Sequence, residues 1–157
     1  MNALKLMEYN IWAHRLILTQ LESLPATLLD KPLGGSFGSI KATLVHLLLS
    51  DWLWLNRWKG IPLADIPEWP LNNLKEIKHR WESIQDEMLV IAQTLANDPE
   101  KNIEFITRKG AHHTLPWADI VVHVVNHGTY HRGQITHMLR TAGEQPVGTD
   151  YFLFCVQ

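Results

Sequence analysis

The sequence predicts an all-α protein built as a four-helix bundle, and three observations carry that prediction. Apolar residues recur at spacings of three and four along four separate stretches, each long enough for several helical turns. Proline and glycine mark the gaps between those stretches. Strand-like patterning is confined to one short segment ahead of the last stretch.

In the first stretch Leu4, Met7, Ile11, His14, Leu18 and Leu21 fall on one face of a helix over about residues 2 to 24, which Pro25 brings to a stop. Pro32-Leu33-Gly34-Gly35 is loop chemistry, and Ser36 or Ser39 is placed to cap a second helix from Ile40 to Trp58. Gly60 and Pro62 end it. This helix is apolar nearly all round, which suits a central position or an intersubunit surface. Three prolines between Ile61 and Pro70 stiffen the next connection.

Leu74, Ile77, Trp81, Ile84, Met88 and Ile91 then mark a third helix to about Ala96, with its charged opposite face in water. Residues 97 to 115 are the least regular. Within them Ile103-Glu104-Phe105-Ile106-Thr107 and a turn near Lys109-Gly110 suggest a small hairpin. Thr114, with Pro116 at the first helical turn, opens a fourth helix over about Leu115 to Ala142, which Gly143 closes. The aromatic tail Tyr151-Phe152-Leu153-Phe154 is expected to dock on the bundle. Connections of roughly 13 to 20 residues exceed the usual helix-to-helix length, so some should cross the bundle or carry function.

A chain of 157 residues supplies one compact domain, expected to span residues 1–157. Hydrophobic residues at 46% and charged residues at 19% exclude a disordered class. A formal charge of -2 gives no general attraction to phosphate backbones or anionic lipid, so nucleic acid is not an expected partner. Cys155 is the only cysteine, which rules out an internal disulfide or a cysteine-based zinc knuckle and fits a reducing compartment. The start, Met1 to Glu8, has no apolar signal core, and no segment reaches the roughly 20 apolar residues of a membrane span. The expectation is a soluble cytoplasmic protein.

Nine histidines stand out, and their placement carries the chemistry. His127 and His131 are four residues apart, which on a helix stacks two imidazoles on one face about 6 Å apart along the axis. His123 extends the series, but His123 and His131 lie about 12 Å apart axially, too far to share one ion with bonds of roughly 2 Å. Either consecutive pair is geometrically possible. Gly128 and Gly133 tip the choice to His127 and His131, because a helix-interior glycine costs about 1 kcal/mol relative to alanine and asks for a compensating close approach. His46 is the best third ligand, being the polar side chain in the apolar run Leu44-Val45-His46-Leu47-Leu48-Leu49. His14, on the apolar stripe of the first helix, is a weaker candidate. Three imidazoles with an open fourth position let a divalent metal act as a Lewis acid or activate water or a thiol.

The remaining candidates have plainer readings. His79 and His137 fall at surface positions, and His112 and His113 lie in the irregular segment. Arg132 and Gln134 either orient a ligand or anchor the bundle. Trp12, Trp52, Trp54 and Trp58 serve the core or a dimer contact, and one of them is free to line a pocket. Nothing pairs Ser36 or Ser39 with a base as a nucleophilic triad requires.

Asn126-His127 through His131-Arg132-Gly133-Gln134-Ile135, with Ser39-Ile40, Leu44-Val45-His46 and Tyr9-Asn10-Ile11-Trp12-Ala13 ahead of them, resemble the DinB/YfiT-like family over nearly the whole chain. The resemblance implies a four-helix bundle, commonly a homodimer, holding nickel or zinc on three histidines that match His46, His127 and His131. It leaves His123 out of the ligand set, as a residue of the pocket or of the shell behind the ligands. It also implies a metal-dependent transferase or hydrolase, including transferases and isomerases that use low-molecular-weight thiols such as bacillithiol or mycothiol on small-molecule substrates.

Between Trp117 and Leu139 the only acid is Asp119, about two turns before His127, so thiol attack is better supported than peptidase-like hydrolysis with a neighbouring general base. Two rival readings remain: a non-catalytic metal-binding stress-response protein, with His14 or His123 closing the coordination, and a purely structural helical-bundle dimer.

Overall fold

A computed structural model of the protein describes residues 2–157; Met1, the first residue of the expected domain, lies outside them. The described residues are mostly helical, in the order α1 (Ala3–Glu22), a single 3-10 turn (Ala26–Leu28), α2 (Ile40–Trp58), α3 (Leu74–Leu95), a hairpin of β1 (Asn102–Ile106) and β2 (His112–Pro116), α4 (Trp117–Thr141) and α5 (Tyr151–Cys155). The bundle and the small hairpin are therefore both as expected.

Three of the long helices begin on a side-chain cap. Asn2, Ser39 and Asn73 each accept a hydrogen bond from the backbone N–H three residues on, at Lys5, Ala42 and Glu76. Glu76 reaches back to the N–H of Asn72, so the start of α3 satisfies two donors reciprocally. The fourth helix starts differently. Thr114 to Pro116 pair in the hairpin, with Glu104 opposite Thr114 and Asn102 opposite Pro116, so α4 begins at Trp117 rather than Leu115. Carbonyls of Lys101 and Pro99 take the N–H groups of Trp117 and Ala118, at 2.9 and 3.0 Å. Strand pairing thus replaced the capping that Thr114 was expected to supply. The first helix likewise stops at Glu22, and the 3-10 turn takes up the chain after Pro25.

Around the bundle the neighbours run α1, α3, α2, α4 and back to α1, so α1 and α2, adjacent in sequence, lie diagonally. The long connection between them crosses the bundle, as its length suggested. One continuous core fills the interior, drawing Leu18, Leu44, Leu47, Ile77, Trp81, Met88, Trp117 and Ile135 from all four long helices. At the end of the chain α5 sets Tyr151 edge-on to Tyr9 at 5.1 Å and Phe154 against Trp12 at 5.6 Å. Tyr151 and Phe154 of the aromatic tail thus dock on α1, as expected, whereas Phe152 stays exposed. Among the described residues no helix is long and apolar enough to cross a membrane.

Candidate metal centre

Two neighbouring helices bring three imidazoles together. His127 and His131 stand one turn apart on α4, and His46 faces them from α2. The Nε2 atoms of His46 and His127 lie 3.0 Å apart, and one donor nitrogen from each of the three rings falls within 4.8 Å of the others. Nitrogens bound tetrahedrally at about 2.0–2.1 Å sit roughly 3.3 Å from one another, so the pair is already spaced for a shared cation. The rings meet nearly edge to face, with centroids 4.6 to 5.0 Å apart, which lets each nitrogen point inward without the rings colliding. Such a group could hold a divalent metal ion.

Side chains behind the rings set their orientation. His131 Nδ1 donates to Gln134 Oε1 at 2.9 Å, which leaves Nε2 as the lone-pair nitrogen turned to the site. Gln134 Nε2 in turn donates to Ser36 Oγ at 2.7 Å. Ser39 is the helix cap of the two serines, and Ser36 is the anchor of this relay. The loop that carries Ser36 turns through Gly35, whose φ of +73° is a left-handed conformation that suits glycine. That turn also lays Phe37 over the site, stacked on His46 at 4.2 Å and tilted against His131 at 5.5 Å.

Electrostatics favour neutral imidazoles. Burial, then the neighbouring His131, His46 and His123 rings, push His127 down to about 4. Burial first, then His131 and Arg108, lower His46 as well. Unprotonated nitrogens are what a cation requires.

Beneath the imidazoles lies a buried polar network. Arg132, almost wholly buried on α4, donates to Asn10 Oδ1 at 2.6 Å, to Thr129 Oγ1 at 2.8 Å, to His14 Nε2 at 3.0 Å and to Tyr9 Oη at 3.4 Å. Gly128 makes this possible: a Cβ there would sit 2.5 Å from Asn10 Oδ1 and 2.8 Å from Arg132 Nη1. His14 is therefore occupied as an acceptor and belongs to this network, outside the three-histidine group. Its other nitrogen lies 3.9 Å from Asp51, which accepts from Trp81 Nε1 at 2.7 Å.

Two clefts flank the imidazoles. One, of about 480 Å³, is bounded by Phe37, His46, Leu49 and Arg108. The other, of about 340 Å³, lies on the His123 side between Trp54, Arg57 and Phe105. A larger hollow of about 610 Å³ near Leu21, Leu29 and Leu74 has no histidine or cysteine in its lining, so the chemistry does not lie there.

The structure brings together the three histidines singled out in the sequence and leaves His123 beside them, stacked on His127 with ring centroids 6.0 Å apart. His79 and His137 are exposed, as expected, while His112 and His113 belong to strand β2. Of the tryptophans, Trp54 is the one that lines the cleft beside His123. Gly133 is a correction: nothing lies within 4 Å of the Cβ it lacks, so close packing does not explain it. Phe37, Ser36 as a relay, Asp51, Arg57 and Arg108 were missed. Asp51 alone had a legible signal, since it continues the buried spacing of Leu44, Leu47, Leu48 and Leu55 on α2.

Comparison with known proteins agrees with this architecture. The family model described as "DinB family" matches residues 1–156. The protein DinB of Bacillus subtilis is 35% identical, with 97% of this chain and 92% of the relative covered. A crystal structure of a DinB-like protein from Bacillus cereus superposes with a TM-score of 0.69 at 16% identity, covering 91% of this chain and 94% of that one.

Proposed function

The chain belongs to the DinB family, and on that premise we propose that it is a divalent-metal-dependent enzyme acting on a small-molecule substrate, with zinc or nickel held by His46, His127 and His131. The reaction we favour is a transfer to or from a low-molecular-weight thiol, with hydrolysis as the variant in which water takes the thiol's place. The observation that carries the reading is the convergence of three imidazole nitrogens from α2 and α4, two of them 3.0 Å apart, at the edge of an open cleft.

A divalent cation held by His46, His127 and His131 would supply Lewis acidity and lower the pKa of a thiol or water beside it. The protein's own part is positional. Gln134 fixes the tautomer of His131, and Phe37 covers the outer face of His46 and limits water on that side. Depressed basicity keeps His127 and His46 unprotonated through the neutral range. No carboxylate joins the imidazoles among the described residues, so no general base stands ready to take a proton from water. That supports the thiol route, because a thiol's lower pKa makes assistance by a base less necessary. A homodimer and a cytoplasmic place of action belong to the same proposal and rest on the family resemblance and on composition.

Metal content of protein purified without chelating resin tests the site. A stoichiometric ion should be lost in His127→Ala and His131→Ala and kept in His79→Ala. Equal retention in all three variants would reject the assignment.

A further inference from the structure

We propose that the cleft between α2, the hairpin and α4 binds the carboxylate of a small organic acid, with Arg57 and Arg108 holding the anion and Trp54 and Phe105 covering its carbon skeleton. As a subsite for substrate this deepens the metal-enzyme reading and rests on it; as a binding site it stands on its own geometry.

Both guanidiniums line the cleft of about 340 Å³, and neither is ion-paired with a carboxylate among the described residues. The cleft lining contains no acidic side chain. Arg57 is held rigidly: its guanidinium lies 4.3 Å from the Trp54 ring centroid and 5.0 Å from that of Phe105, and Nη2 donates to the Ile106 carbonyl at 3.2 Å. Its Nε is buried without a hydrogen-bond partner, a donor whose desolvation is uncompensated. Burial and the nearby Arg108 charge both disfavour the Arg57 cation, so one delocalised negative charge between them relieves both costs.

Leu115 and Ile120 complete an apolar wall, which suits a ring or short chain rather than a bare inorganic ion. The direction of the cleft supplies the link to chemistry. His123 packs edge-on to Trp54 at 5.4 Å and is stacked on His127, while Arg108 also borders the cleft that contains His46. A molecule anchored by its carboxylate at the arginines therefore extends toward the imidazoles.

Calorimetric titration of benzoate into protein stripped of metal with EDTA tests the subsite without the metal's own affinity for anions. Benzoate should saturate one site, and neutral benzamide should bind at least about tenfold more weakly. Arg108→Gln, at an exposed position, should weaken benzoate about tenfold and leave the zinc-to-protein ratio of reloaded protein unchanged. Arg57→Gln should do the same, with circular dichroism checking that loss of its aromatic stacking has not unfolded the hairpin. Absence of benzoate binding, equal affinity for benzamide, undiminished affinity in Arg108→Gln, or tenfold tighter binding of phenyl phosphate would each overturn the carboxylate assignment. The two readings fail separately: benzoate binding by protein that takes up no stoichiometric metal ion, as purified or on reloading, sinks the metal centre alone, and a stoichiometric metal ion without benzoate binding sinks the subsite alone.

Discussion

Gln134 ties His131 to Ser36 through the two ends of one amide, accepting from the imidazole Nδ1–H at 2.9 Å and donating to the hydroxyl at 2.7 Å. The glutamine comes from the same helix as the imidazole it orients, and the serine comes from the loop that precedes α2. Partners of this kind fix ring orientation, and their loss typically weakens metal affinity by about 10- to 100-fold. Gln134→Ala should therefore bind zinc at least about tenfold more weakly in a chelator-competition titration, with helicity by circular dichroism unchanged. Unaltered affinity would remove the amide from the site.

The two glycines of α4 should respond oppositely to the same substitution. Gly128→Ala forces a methyl group to within 2.5 Å of Asn10 Oδ1 and 2.8 Å of Arg132 Nη1, so α1 and α4 must separate or the network must break. A loss of about 1–3 kcal/mol is expected from such overpacking. Gly133→Ala meets open space and gains helix propensity, worth about 1 kcal/mol of added stability. Chemical denaturation of the two variants side by side checks both signs.

Arg132 is a buried guanidinium held chiefly by neutral acceptors, Asn10, Thr129, His14 and Tyr9. Replacement by leucine leaves Asn10 Oδ1 and His14 Nε2 unpaired inside the protein. The destabilisation should be on the order of 3 kcal/mol or more. Lysine should rescue little of it, because one ammonium group cannot reach the several acceptors that the planar fork serves. Thermal unfolding of Arg132→Leu and Arg132→Lys against the parent protein is the measurement.

Asp51 predicts a pH dependence. Burial raises its carboxyl from the ordinary value near 4 to about 7, opposed in part by the Trp81 hydrogen bond and the Arg132 charge. A group whose pKa is higher in the folded state adds stability that is fully present below the unfolded pKa. That contribution is lost as pH rises through about 7. Asp51→Asn keeps an acceptor for Trp81 and cannot ionise. Relative to the parent, the variant should therefore gain stability from about pH 4 to about pH 7 and level off above that in urea titrations. A stability difference independent of pH would show that Asp51 titrates normally.

The helices were legible because each carries a repeating apolar face with a polar cap or a breaker at its ends: Asn2 ahead of α1, Ser39 ahead of α2, Gly143 after α4. The three imidazoles were legible because the interval from His127 to His131 is one helical turn and His46 interrupts an apolar run. What escaped the sequence depends on contacts between distant segments. Ser36 meets Gln134 across 98 residues, and Phe37 reaches His46 only because the glycine turn folds back on itself. Arg57 and Arg108 look like solvated surface charges in sequence, and become neighbours only when the hairpin closes on α2. The start of α4 was misplaced for a similar reason, since pairing with β1 recruited Thr114 and Leu115 that local capping rules assign to the helix.

Tyr9 also reaches the far end of the chain, donating its hydroxyl to the Thr149 carbonyl at 2.9 Å while receiving Arg132 Nη2 at 3.4 Å. The closing segment is thereby moored, through two successive hydrogen bonds, to the residue directly beside His131. Clipping the chain before Thr149, or displacing that segment with a bulky fusion, would slacken the mooring of the histidine-bearing helix without touching any imidazole.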